Sequence, residues 1–283
     1  MRAETPAEEL SALCAKSDSM WAHMRQEAET ALRLDASLAP LFIGELLNRD
    51  CLESAVIHRV SGRLGASAMD AASIADAFFA ALDSEPEIGE AFRADAAAYV
   101  ERDPACRRLI EPLLYFKGYH AIQASRLAHA LWRAGKRDFA FYIQSRTSDA
   151  LAADIHPAAR FGKGIFLDHA TGFVVGETAA IEDDVSILHG VTLGGTGKVA
   201  GDRHPKVRRG VMIGAGTKIL GNIEIGEYSR IAAGSVVLHA VPPHSVVAGV
   251  PAKVVGVETS AQPARDMDQI LRGLAYDSFD YVI

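Results

Sequence analysis

The sequence lacks long apolar runs, has few cysteines and carries no excess of positive charge. No apolar stretch reaches the roughly 18 residues that a membrane span needs, and the first ten residues, with three glutamates, lack an export signal. The three cysteines are widely spaced and form no CxxC metal site. The formal net charge of -7 argues against nucleic acid and anionic membranes as partners. These absences predict a folded, cytoplasmic protein without nucleic-acid or membrane partners.

The first 150 residues carry a helical pattern. Ala, Leu, Glu and Arg are frequent there, and apolar positions recur at steps of three and four residues. The pattern predicts an α-helical domain over residues 1–150. Its expected helices span residues 8–32, 40–48, 52–62, 69–82, 86–102 and 113–134. Asp103 and Pro104 are typical of the N-cap and first residue of another helix.

After about residue 149 the large apolar residues recur with a period of six. Neither an α-helix, with a period of 3.6, nor a simple strand, with a period of two, explains this spacing. A solenoid does, because three hexads of strand and turn close a triangular coil, and successive coils pair in parallel about 4.8 Å apart. The large residues of the eleven hexads are Ile155, Phe161, Leu167, Val175, Ile181, Ile187, Ile213, Ile219, Ile225, Ile231 and Val237.

The two patterns together predict an α+β chain divided by halves. The helical domain precedes a parallel β-helix of hexapeptide repeats over residues 151–257, with fewer than four coils, and a flexible tail follows over residues 258–283. The third and fourth hexads are eight residues apart, and we assign the two extra residues to a corner at Phe173 and Val174. The sixth and seventh are 26 residues apart, and the Gly-rich and basic segment between them predicts an extruded loop.

Several short strings carry a resemblance to a known family. They are DIHPAA at 154–159, DHATG at 168–172, VVGET at 174–178, GGTGK at 194–198, GDRHPK at 201–206, AGVPAK at 248–253 and, in the helical half, ERDPA at 101–105 and GYHA at 118–121. The DHATG string and the GGTGK and GDRHPK pair are specific, whereas AGVPAK is common to many hexapeptide acyltransferases. On these strings the chain resembles the serine O-acetyltransferase family over most of its length.

The resemblance implies a hand for the solenoid and a reaction. It implies a left-handed β-helix, whereas parallel crossovers are right-handed in most folds. It implies transfer of the acetyl group of acetyl-CoA to the hydroxyl of L-serine, which gives O-acetyl-L-serine and CoA in the first step of cysteine biosynthesis. Acetyl-CoA would be a co-substrate, and no permanently bound cofactor or metal is expected.

Acetyl transfer to a hydroxyl needs a general base for the proton that leaves as the oxygen attacks. A lone histidine on a solenoid is usually a solvated or structural residue, but the DHATG context favours His169 as that base. The resemblance assigns Asp154 as the carboxylate that orients the imidazole. The two residues are 15 apart, three short of an 18-residue coil, so Asp154 also fits a turn before His156 and Pro157.

Serine offers an ammonium and a carboxylate, so a selective pocket needs acids for the first and a forked cation for the second. Asp103 and Asp168 match the family's amine-binding acids, and Arg203 and His204 match its carboxylate-binding pair. If Asp103 has this role, the helical half helps to close the site. The alternatives are a helix cap, a solvated corner acid and a basic loop.

CoA needs a narrow groove for its pantetheine arm and cations for its phosphates. The candidate contacts are Gly195, Thr196, Ala215, Arg230, Ala233 and Lys253. The two alanines occupy the same hexad slot 18 residues apart, so their small side chains would stack into a shallow channel. The two loop residues would offer backbone hydrogen bonds, and the two cations would contact phosphates. Small residues are also what any tight solenoid corner selects.

Other functions are compatible with parts of the sequence. His189 occupies the same hexad slot as His169, which predicts that the two stack on one face. A zinc hydratase of the γ-carbonic-anhydrase type would use these two and His204 as ligands across a trimer interface. That alternative leaves the amino-acid-binding and GGTGK strings unexplained. An acetyltransferase for another acceptor and a non-catalytic scaffold are the remaining alternatives.

Assembly is expected because a short prism has flat faces that need partners. The β-helix predicts a homotrimer with active sites between neighbouring prisms. The resemblance implies further a dimer of trimers, a hexamer joined through the helical halves, with L-cysteine as feedback inhibitor. It also implies a complex with O-acetylserine sulfhydrylase through the C-terminal Ile283.

Overall fold

The computed structural model of the protein describes residues 18–197 and 200–271. Its first part is a bundle of helices whose apolar side chains form a core continuous with the interior of the solenoid that follows. The helices of this half are α1 (Ser19–Leu34), α2 (Ala39–Phe42, continued by the π-helical turn Ile43–Leu47), α3 (Leu52–Leu64), α4 (Ala71–Ser84), α5 (Glu87–Arg102), α6 (Ile110–Tyr115), α7 (Lys117–Arg133) and α8 (Arg137–Leu151). The helix predicted over residues 8–32 is described only from residue 18 onward.

The helix boundaries differ from the prediction in three places. The segment predicted as one helix over residues 113–134 is divided at Phe116, whose backbone is extended (φ -90°, ψ 108°). Helix α8 is missing from the prediction. Asp103 ends α5 with an extended backbone, and its carboxylate accepts the Ala105 N–H at 2.8 Å. The interpretation of Asp103 as a helix N-cap is therefore wrong.

The second half is a three-sided prism of short strands. The strands are β1 (Ala153–Ile155), β2 (Arg160–Phe161), β3 (Phe166–Leu167), β4 (Phe173–Val175), β5 (Ala180–Ile181), β6 (Ser186–Ile187), β7 (Thr192–Gly194), β8 (Lys206–Val207), β9 (Met212–Ile213), β10 (Lys218–Leu220), β11 (Glu224–Ile225), β12 (Arg230–Ile231), β13 (Val236–Val237), β14 (Ser245–Gly249) and β15 (Ala252–Val257). The first sheet has the order β1-β4-β7-β10-β13, the second β2-β5-β8-β11, and the third β3-β6-β9-β12-β14-β15. The strand pairs are parallel except β14 and β15. Every predicted large hexad residue lies in a strand, and all but Phe161 are buried.

The prism has about five coils, more than predicted from the sequence. Leu193 in β7 and Val207 in β8, each 0% exposed, continue the period of six into the segment that was predicted as loop. The extruded loop is therefore shorter and leaves the prism only between β7 and β8. The two extra residues of the fourth hexad are also misassigned, because Phe173 and Val174 belong to β4. The extra residues lie in the turn 168–172.

The helical half covers the open edge of the first coil. Backbone carbonyls that would pair with a preceding coil instead accept hydrogen bonds from side chains of α5 and α7. The bonds run from His129 to Pro157 (2.9 Å), from Arg126 to Gly162 (2.8 Å), from Arg102 to Gly164 (3.0 Å) and from Tyr99 to Leu167 (2.6 Å). The two halves are thus joined by specific polar contacts as well as by a shared apolar core.

The chain after β15 packs against the prism. A short helix α9 (Pro263–Asp266) buries Ala264 to 1% exposure, and the Ser186 hydroxyl donates to the Ala264 carbonyl at 2.6 Å. The flexible tail predicted from residue 258 therefore does not begin there, and Ile283 lies outside the described residues. Among the described residues, no helix has both the length and the apolar character needed to cross a membrane.

Candidate active site

The predicted catalytic histidine lies at the corner between the third and first sheets, which we call the histidine corner (residues 168–172, 188–191, 214–217 and 232–235). His169 and Ala170 both have φ 58°, a left-handed backbone that non-glycine residues rarely adopt. The turn projects the His169 side chain outward, where it is 72% exposed, with Nε2 3.6 Å from Asp168 Oδ1. The His189 ring of the next coil meets it edge to face, with centroids 5.8 Å apart. The predicted stacking of the two histidines is confirmed.

The two predicted amine-binding acids line one cavity. Asp103 at the end of α5 and Asp168 at the histidine corner face a space of about 680 Å³. Burial raises the pKa of Asp168 above its ordinary value and the Asp103 carboxylate adds to the rise, whereas His169 and His189 lower it. Two carboxylates that share a partly buried space favour a bound cation. Arg102 and Arg265 also line this space but are paired with Asp184, so an ammonium group suits the two carboxylates.

The predicted carboxylate-binding pair lies at a different corner, between the first and second sheets, which we call the arginine corner (residues 156–159, 176–179 and the loop after β7). Arg203 Nη2 is held by Glu177 Oε2 at 2.7 Å. The Thr178 hydroxyl accepts both the Arg203 and the His204 backbone N–H at 3.0 Å. These bonds fix the base of the loop, so the guanidinium and the imidazole keep defined positions.

His204 is arranged as a neutral hydrogen-bond donor. Its Nδ1 accepts the Thr178 backbone N–H at 3.1 Å, which leaves the proton on Nε2. Burial lowers the pKa of His204, and the nearby Arg203 cation lowers it further. The ring is only 7% exposed and occupies the place where a Cβ on Gly176 would stand. A bigger residue at position 176 would displace it.

Asp154 lies on β1 in the first sheet, beside Val174 of the next coil, and its side chain is exposed. Its Oδ1 accepts a hydrogen bond from Gln144 at 2.6 Å. Within the described part of the chain, the carboxylate next to His169 is that of Asp168, not Asp154. The pairing of Asp154 with His169 therefore stays a prediction.

The predicted CoA contacts are spread over three places. Ala215 and Ala233 lie at the histidine corner on the two coils after His189. Backbone hydrogen bonds join these coils, from Gly216 N–H to the His189 carbonyl at 2.9 Å and from Gly234 N–H to the Ala215 carbonyl at 2.7 Å. Their stacking one coil apart is as predicted. Gly195 and Thr196 lie instead at the arginine corner. A Cβ on Gly195 would lie 3.6 Å from His204 Nε2, an ordinary van der Waals contact.

The two predicted phosphate cations differ in accessibility. Lys253 lies on β15 and is exposed. Arg230 lies under the segment after β15, where it pairs with the buried Glu258 at 2.8 Å and donates to the Asp268 carbonyl at 2.5 Å. The Arg230 guanidinium therefore already has hydrogen-bond and ion-pair partners within the chain. A phosphate contact by Arg230 stays a prediction.

The sequence did not point to Glu177 and Thr178, which hold the arginine corner, or to Tyr99, which contacts the residue before the histidine corner. Glu177 and Thr178 lie in a string shared with the family, but only the coil geometry brings them to the loop 26 residues further on. Within the described residues, no group of three or more His, Cys, Asp or Glu side chains is placed to hold a metal ion. Within one chain, His204, the third ligand of the zinc alternative, lies at the arginine corner, away from His169 and His189.

The comparisons with known proteins agree with this geometry. Residues 20–124 match the family described as serine acetyltransferase, N-terminal, and residues 204–239 match the bacterial transferase hexapeptide (six repeats). The serine acetyltransferase of Salmonella typhimurium is 48% identical over 268 residues, which cover 95% of this chain and 98% of the relative. The chain belongs to the serine acetyltransferase family.

Two solved serine acetyltransferases have the same fold. One from Brucella abortus, in complex with coenzyme A, is 55% identical with a TM-score of 0.84, over 86% of this chain and 97% of that one. Another, in complex with cysteine, is 49% identical with a TM-score of 0.87, over 89% and 98%. The solenoid of this serine acetyltransferase family member is accordingly a left-handed β-helix, and the protein is an acyltransferase. Both expectations from the sequence strings are confirmed.

Proposed function

We propose that this acyltransferase moves the acetyl group of acetyl-CoA to the hydroxyl of L-serine by direct attack, with His169 as general base. The observation that carries the proposal is the pairing of two acids beside the histidine with a carboxylate-binding pair at the other corner of the first sheet. Two acids, Asp103 and Asp168, share the cavity beside the histidine. A carboxylate-binding pair, the Arg203 cation and the neutral donor His204, is held at the arginine corner. L-Serine offers its ammonium to the two acids, its carboxylate to the pair at the arginine corner, and its hydroxyl to His169.

The reaction needs one proton to move twice. His169 takes the proton of the serine hydroxyl as its oxygen attacks the thioester carbonyl, which gives a tetrahedral intermediate and an imidazolium. Collapse of the intermediate breaks the carbon–sulfur bond, and the imidazolium returns the proton to the CoA thiolate. O-acetyl-L-serine and CoA leave, and the histidine is neutral again. In this scheme Asp154 orients the imidazole once the site is assembled.

The site is best assembled from two chains. The base and Asp168 lie at the histidine corner with Asp103 beside them at the end of α5, while the carboxylate-binding pair lies at the arginine corner, on the other side of the first sheet. A single prism keeps these corners apart, but a threefold arrangement of prisms places unlike corners of neighbours side by side. We propose a homotrimer on this ground, and pairing of two trimers through the helical halves by the family resemblance.

Acetyl-CoA would enter along the histidine corner of one prism. Ala215 and Ala233 leave a shallow channel above His189, with Gly195 and Thr196 of a neighbour's loop on the other side. Lys253 is the exposed cation for a phosphate. Arg230 would need to leave Glu258 to serve in the same way.

L-cysteine has the same ammonium and carboxylate as L-serine, so the same four side chains would hold it. We infer that it acts as a feedback inhibitor at the serine pocket, in line with the solved relative in complex with cysteine. A complex with O-acetylserine sulfhydrylase through Ile283 is a further proposal from the family resemblance.

A thiol-release assay with acetyl-CoA across a panel of amino acids and sugars tests the acceptor. We expect release with L-serine, weaker release with L-homoserine because its longer side chain moves the hydroxyl away from His169, and none with sugars. Release confined to sugars would contradict the assignment of serine while leaving an acyltransferase.

A further inference from the structure

Strand β3 ends immediately before the histidine corner and lies at an edge of the third sheet. The backbone groups of Ile165 and Leu167 that point away from β6 therefore have no coil to pair with. Helix α5 supplies their partners. The Asp95 carboxylate accepts the Ile165 N–H at 2.8 Å, and the Tyr99 hydroxyl donates to the Leu167 carbonyl at 2.6 Å. The residue next to that carbonyl is Asp168.

The Tyr99 hydroxyl has a single well-defined position. The residue is 2% exposed, and its ring meets Phe166 edge to face with centroids 4.8 Å apart. Burial raises the pKa of Tyr99 well above its ordinary value, so the hydroxyl keeps the proton that it donates. Asp95, one helical turn earlier, is fully buried and accepts from Gln123 at 2.9 Å and from Arg126 at 2.7 Å. The face of α5 that meets β3 is thus rigid.

Helix α7 approaches the same carbonyl from another direction. A Cβ on Gly118 would overlap the Leu167 carbonyl oxygen and lie 2.7 Å from the Tyr99 hydroxyl oxygen. The preceding residue, Lys117, donates from Nζ to Thr171 Oγ1 at 2.6 Å. The start of α7 therefore contacts both ends of the turn that carries His169.

We propose that Tyr99 is a positioning residue for the serine site, because its hydroxyl fixes the peptide between Leu167 and Asp168 and so sets the separation of Asp168 from Asp103. Helix α5 controls both ends of this separation, since Asp103 directly follows its last residue. The inference rests on the proposed function, which gives these two acids the serine ammonium. A shift of the peptide would move Asp168 and His169 together and leave the later coils, with Ala215 and Ala233, in place.

Tyr99→Phe in the full chain tests the proposal, with Tyr119→Phe as a matched control. Tyr119 is also fully buried, and its hydroxyl donates to the Phe92 carbonyl at 3.0 Å inside the helical half. We expect Tyr99→Phe to raise the KM for L-serine about tenfold and to lower kcat, because a small displacement of reacting groups is costly. The KM for acetyl-CoA should stay within about twofold of wild type, because the contacts proposed for that substrate on the later coils do not move.

Tyr119→Phe should lower the melting temperature and leave both KM values unchanged. An unchanged KM for L-serine in Tyr99→Phe, or an equal rise in Tyr119→Phe, would overturn the inference. Gly118→Ala displaces the same carbonyl and should give the same serine-specific pattern, so it carries the test if Tyr99→Phe does not accumulate as folded protein.

Asp168→Asn separates this inference from the proposed function. If Asp168→Asn keeps the wild-type KM for L-serine, the proposed serine site is wrong, and so is the positioning role of Tyr99. If Asp168→Asn raises this KM while neither Tyr99→Phe nor Gly118→Ala does, only the positioning role of Tyr99 is wrong.

Discussion

The histidine corner and the arginine corner belong to the same prism but are held in place by different means. His169 sits in a tight turn with a left-handed backbone, and Tyr99 and Lys117 brace that turn from the helical half. Arg203 and His204 come from a loop, and the side chains of Glu177 and Thr178 hold them. The proposed base is thus placed by a backbone turn that the helical half holds, whereas the proposed carboxylate-binding groups lie on a loop held by side chains of another coil.

This difference predicts different kinetic consequences at the two corners. A base acts only as the hydroxyl is deprotonated, so its loss reduces kcat, whereas a carboxylate contact is made in the ground state as well, so its loss raises KM. Substitutions at each corner therefore test whether one corner acts in proton transfer and the other in carboxylate binding.

The largest effect is expected at the histidine corner. His169→Ala should lower kcat on the order of 10²- to 10⁴-fold, the contribution of a positioned general base. Steady-state kinetics with both substrates measure this, and His239→Ala, at an exposed histidine on the last coils, is the control. A loss of less than tenfold in kcat for His169→Ala would show that another group takes the proton.

A smaller effect, of a different kind, is expected at the arginine corner. Arg203→Ala should raise the KM for L-serine on the order of 10- to 100-fold, because it removes a charged hydrogen-bond donor, and should change kcat much less. Arg208→Ala is the matched control, since Arg208 pairs with Glu182 at 2.6 Å on the second sheet. A fall in kcat with an unchanged KM would contradict the division between the corners.

Much of the fold could be predicted from the sequence because the solenoid repeats one local rule. Each large hexad residue, such as Ile187 or Ile213, fills the prism, so a period of six identifies the strands directly. Leu193 and Val207 escaped detection because glycine and charged residues of the loop flank them. The division at Phe116 also escaped, since the apolar period continues across the residue whose extended backbone interrupts the helix.

The site could be predicted only as a list of residues. Strings such as DHATG identified His169 and Asp168, but the sequence does not say that Arg203 lies at another corner, because that depends on how many residues each coil takes. Asp103 was correctly associated with Asp168, since both line one cavity. Tyr99 could not be found, because its role follows from the open edge of β3, which exists only once the helices cover the first coil.

The most direct test of the two-corner site is subunit complementation. Chains with His169→Ala and chains with Arg203→Ala, each nearly inactive alone at low L-serine, are produced together with different tags, and the mixed oligomers are purified and assayed. If each site takes its histidine corner from one chain and its arginine corner from a neighbour, equal mixing should restore roughly a quarter of the wild-type activity. Activity no higher than that of the two parents would mean that both corners of a site come from one chain, which contradicts the account.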